Sequence, residues 1–122
     1  MQNIKSFDTK PYMTIGIIVV NIIVFVLMSI SGSTLDAQYM AAHGAMYPEY
    51  IKDGQYWRLF TSMFMHFGLM HILNNMVVLG AVGQIVEKAM GHVKLLITFL
   101  VSGMCGSVLS YIIMLYNNDF AV

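Results

Sequence analysis

The chain has 122 residues, enough for one small domain or part of a larger one. Hydrophobic residues make up 58% of it and charged residues 10%, against about 25% in an ordinary soluble domain, so a soluble fold would lack polar surface to cover itself. Six basic and six acidic residues cancel, which removes the electrostatic basis for nucleic-acid binding.

The single cysteine, Cys105, lies in an apolar run and excludes a disulfide framework or a cysteine metal site. No Gly-rich phosphate loop, HExxH or paired-Cys motif occurs, so neither cofactor nor metal is expected.

Three stretches lack Asp, Glu, Lys and Arg: residues 11–35, 59–86 and 95–118. A bilayer takes roughly 20 helical residues to cross, and each stretch is long enough. The β-branched density of residues 15–26 suggests a strand, but length favours a helix. In lipid the preference sharpens, because a lone span must satisfy its own backbone hydrogen bonds. The expectation is an all-α integral membrane protein with transmembrane helices at about 12–31, 67–87 and 94–116 and an outer interfacial loop at about 32–66.

The first span also has the outline of a signal peptide, with Lys5 and Lys10 before it and Ser31-Gly32-Ser33 after it. Its apolar run exceeds a usual signal core and two more spans follow, so a retained helix is expected. Lys5, Lys10, Lys88 and Lys94 fall on one side of the membrane, and Lys52 and Arg58 on the other. That bias predicts a cytoplasmic N-terminus with the long loop outside. The membrane expected is a plasma membrane of bacterial type. The loop carries Tyr39, Tyr47, Tyr50, Tyr56 and Trp57, residue types that favour the headgroup level. A simple aromatic belt would account for most of them.

Residues 57–75 hold the polar groups that stand out. Polar side chains at membrane depth are costly and mark candidate functional sites. His71 and Asn75 are four apart and share one helix face, whereas His66 falls off that face and Asn74 points about 100° away from Asn75. Histidines five apart, with no carboxylate or cysteine nearby, make a poor metal site. Spacing alone leaves two readings open: a reaction site, or interhelical hydrogen-bond glue worth about 0.6 kcal/mol per bond. In the third span, Ser102, Gly106 and Ser110, with Gly103 beside them, form a small-residue ridge suited to helix packing. Asn117-Asn118-Asp119 reads as a turn, and residues 120–122 as the start of a fourth span.

Trp57-Arg58, a short apolar stretch, and then His66, His71 and Asn75 resemble the signature of the rhomboid family in order and spacing. Val86-Glu87-Lys88 with Gly91 is similar to the family's pattern at the cytoplasmic end of its second helix. Ser102-Gly103 and Gly106-Ser107 resemble its small-residue third helix. The resemblance runs from about residue 55 to 111, and the first span agrees in hydropathy alone.

It implies a six-helix core, of which this chain is the first half, that cleaves transmembrane segments of other membrane proteins. The family uses a Ser-His dyad, its serine in a Gly-x-Ser-Gly on helix four and its histidine on helix six. Carried over, the resemblance makes His71 and Asn75 the oxyanion stabilisers. Trp57 and Arg58 become loop anchors, with structural roles for His66 and Glu87. The implied partners are the bilayer and transmembrane substrates, and no oligomeric state is implied.

The departure is large: no Gly-x-Ser-Gly occurs and no histidine follows His92, so an inactive N-terminal fragment is expected. A derlin-type, non-catalytic binder of membrane clients is the alternative, and a self-contained three-helix scaffold a third reading.

Overall fold

In the computed structural model, residues 10–117 are described. Three long helices dominate: α1 (Tyr12–Ser31), α5 (Leu69–Met90) and α6 (His92–Tyr116). Between α1 and α5 lie α2 (Ala37–Ala42), α3 (Pro48–Lys52), α4 (Arg58–Thr61) and a 3₁₀ turn (Ser62–Phe64). No strand occurs among the described residues. The turn and fourth span expected after Asn117, and the Lys5 end, lie outside them.

All three long helices are long and apolar enough to cross a membrane. Their flanks are bare: Ile15, Val19, Ile23 and Val26 of α1, Val77, Val78 and Ile85 of α5, and Val101 and Ile112 of α6 are exposed. In water so much exposed apolar surface would drive aggregation. Against lipid it is the required surface, since acyl chains are as apolar as the side chains. The chain is therefore an integral membrane protein.

Glycines set the limits of the second and third long helices. Gly68 (φ 84) precedes α5, and Gly91 (φ 93) alone separates α5 from α6. Left-handed φ values cost a side-chain-bearing residue, so each is a natural break. Sequence placed these helices at 67–87 and 94–116. The structure runs them over Leu69–Met90 and His92–Tyr116, because a reversal needing one glycine leaves little room for a linker.

Packing of α1 on α5 depends on small residues. Gly83 is buried beneath Thr14, where an added Cβ would meet the threonine side chain at 3.0 Å. At that end the fully buried Glu87 carboxylate accepts hydrogen bonds from Met13 N (2.7 Å), Thr14 N (2.9 Å) and Thr14 Oγ1 (2.7 Å), and meets His92 Nδ1. The α1 N-terminus has no side-chain cap of its own. Glu87 fills that role from another helix, placing negative charge where the α1 dipole is positive. One side chain thus ties α1, α5 and α6 together.

The loop between α1 and α5 has its own small core of Met40, Ala45 and Met65, packed by Met28, Tyr39 and Phe67. Arg58, 5% exposed, organises it. Its Nη1 donates to the carbonyls of Ala41 and Ala45, and its Nε donates to Gln55 Oε1 at 2.7 Å. The guanidinium lies 4.5 Å from the Tyr50 ring centroid and 4.7 Å from that of Trp57. Burial lowers its pKa while Tyr50 opposes that shift, and a guanidinium stays charged. Tyr39 reaches the other way, its hydroxyl donating to Met28 O of α1 at 2.5 Å.

Candidate functional site

The polar residues singled out by spacing gather where the loop feeds α5. The backbone turns at Gly68, and His71 stands in the first turn of α5. Phe67 N–H donates to His71 Nδ1 at 3.1 Å. A backbone amide cannot accept, so Nδ1 is the lone-pair nitrogen and the neutral ring carries its proton on Nε2. That leaves one N–H free to donate. His71 lines a cavity of about 460 Å³ between the loop and α6, together with Ser62, Met63, Gly103 and Ser107. The hydroxyls of Ser62 and Ser107 lie 3.2 Å apart, joining the 3₁₀ turn to α6.

Asn75 follows one turn later on the same helix, where Met63 and Phe99 form a wall shared with a neighbouring cavity. Asn75 lines that neighbouring cavity, of about 430 Å³, with His66, Asn21 and Thr98. His66 is buried at 5% exposure, its ring 5.0 Å from that of His71. Burial and then repulsion by His71 push the His66 pKa below its ordinary 6.5, while the nearby Phe64 carbonyl pulls the other way. His66 is thus held neutral behind His71.

The remaining sequence candidates are scattered. Trp57 is half exposed beside Arg58, and Glu87 sits at the far end of α5. Gly103 is closed over by Met63, whereas Ser102, Gly106 and Ser110 are exposed and Gly106 has open space around it.

Sequence reasoning passed over Thr14, Asn21 and His92. Thr14 and Asn21 are the polar members of the buried face Thr14–Ile17–Asn21 of α1. The missed signal was periodicity: the two stand seven apart, two helical turns, in an otherwise apolar span.

A three-span helical membrane protein whose polar side chains gather at the loop end of its second span is the class that this geometry defines. The Rhomboid domain family model matches residues 53–122. The chain is 33% identical over 103 residues to the Rhomboid protease GluP of Bacillus subtilis, an overlap of 84% of this chain and 20% of that protein. It is 38% identical over 92 residues to the Rhomboid protease GlpG of Pectobacterium atrosepticum, covering 75% and 32% respectively. Against RHOMBOID-like protein 7 of Arabidopsis thaliana the identity is 38% over 84 residues, 69% of this chain and 26% of that one.

The chain belongs to the rhomboid family. It spans about one fifth to one third of the length of these curated relatives. No solved structure matches it.

Proposed function

We propose that the chain is the oxyanion-stabilising part of a rhomboid-type intramembrane serine endopeptidase acting on transmembrane segments of other proteins. The observation that carries the reading is the Phe67 N–H bond to His71 Nδ1, which fixes the tautomer and leaves Nε2–H to donate. Negative charge develops on the carbonyl oxygen during acyl transfer, and donors fixed beforehand stabilise it without reorganising. Asn75, one turn along, would supply a second donor once substrate and the rest of the protein close the two cavities into one site. The nucleophile and base would come from residues beyond these 122, so the chain alone is proposed to be inert. Two of the relatives are named as proteases, which favours the enzyme over the client-binding alternative.

The test is Asn75→Ala in the full-length protein. Removing one oxyanion donor costs about 10²–10³ in kcat, with substrate binding and melting midpoint kept. Asn74→Ala, about 100° around the helix, is the control. Early melting with near-parental cleavage would make Asn75 interhelical glue.

A further inference from the structure

Two buried side-chain atoms among the described residues find no hydrogen-bond partner: Asn21 Oδ1 and His66 Nδ1. They come from segments far apart in the chain, yet both residues line the same cavity of about 430 Å³. Asn21 is 1% exposed and His66 5%. The Asn21 amide is not free to flip, because its Nδ2 donates to Ile17 O at 2.8 Å. Its Oδ1 is therefore fixed as an acceptor awaiting a donor. An orphaned acceptor at membrane depth is strongly unfavourable, so something supplies that donor. Water suits both atoms: it donates to Asn21 and can either donate to or accept from the imidazole. The cavity is open along the side where Asn75 and Thr98 stand exposed, and its volume far exceeds the roughly 30 Å³ that a water occupies, so it has room for water beside all four polar side chains.

We propose that this open cavity is a water site in which water bonded to the buried Asn21 and His66 holds the side chain of Asn75 in position. The positioning half of the inference rests on Asn75 being an oxyanion donor. The water half does not. Asn21 is then a positioning residue, acting on the reaction through water and Asn75 and touching no substrate.

The experiment has two arms, both on the full-length protein. The first is a structure of the unaltered protein at a resolution that shows ordered water. Water within hydrogen-bonding distance of Asn21 Oδ1 is expected. A side chain from elsewhere in the protein in that place, or no partner at all, overturns the water site. The second arm is a double-mutant cycle in turnover. Losing one neutral hydrogen bond is worth about fivefold, so Asn21→Leu should lower kcat about fivefold with KM unchanged. In the Asn75→Ala background it should cost nothing further. An equal loss in both backgrounds overturns the positioning role. If Asn75→Ala alone leaves turnover intact, the oxyanion reading and the positioning role fall together, and the first arm still decides the water site.

Discussion

The carboxylate of Glu87 accepts from both the amide and the hydroxyl of Thr14, at 2.9 and 2.7 Å, across a separation of 73 residues. This joins the last turns of α5 to the first turn of α1, and His92 adds the start of α6 at the other carboxylate oxygen. A cap is usually supplied by the residue just before its own helix. Here the N-terminus of α1 borrows one from the second span, so the cap exists only once the helices have packed.

Glu87→Ala should accordingly destabilise the bundle by roughly 1.5–3 kcal/mol, the worth of lost hydrogen bonds to a charged acceptor. Glu87→Gln keeps an acceptor and should lose less. Unfolding in detergent, followed by circular dichroism, measures both. An unchanged midpoint for Glu87→Ala would refute the clip.

The second concerns Arg58, whose three polar partners lie along one planar fork. Lysine offers a point charge and cannot match that geometry. Arg58→Lys should therefore resemble Arg58→Ala, with faster amide exchange over residues 37–57 and little change in α6. Rescue of slow exchange by lysine would show that charge, and not the fork, holds the loop.

His66 gives the third, a pH dependence. Its folded pKa lies below the ordinary 6.5, chiefly through burial. The unfolded state therefore binds the proton more tightly, and stability rises with pH in that window. The contribution is fully present above about 6.5 and declines as pH falls below it. The informative quantity is the difference between the parental and His66→Gln curves. Curves that remain parallel from pH 7.5 to 5 would remove His66 as the cause.

Topology supplies the fourth. The Lys/Arg distribution favours Lys94 on the cytoplasmic side and Asp53 outside. With the native thiol removed by Cys105→Ser, Asp53→Cys should react in intact cells with an impermeant maleimide, and Lys94→Cys should stay protected. The reverse pattern would invert the orientation.

Much of this protein follows from sequence and elementary physics alone. Lipid offers the backbone no hydrogen bonds, which leaves helices and closed barrels, and three charge-free runs each more than twice the length of a barrel strand select the helix. The helical class is thereby fixed, and the His71–Asn75 spacing places both side chains on one face of the second span. Helix limits were less legible, since Gly91 marks a break without saying that α6 restarts at the next residue.

Tertiary structure decided what no local pattern encodes. It chose the partner of Glu87, which hydropathy would place in water and packing buries beneath Thr14. It set His71 and Asn75 on the walls of two adjoining cavities that share Met63 and Phe99, because cavity walls are drawn by α1, α6 and the loop as well as by α5. It also turned Asn21 into the orphan of an apolar span, since burial depends on which neighbours close over a face. Sequence determines which groups must avoid water or lipid, through terms local to each residue. Which groups then meet depends on contacts between residues dozens of positions apart, and those exist only once the helices have packed.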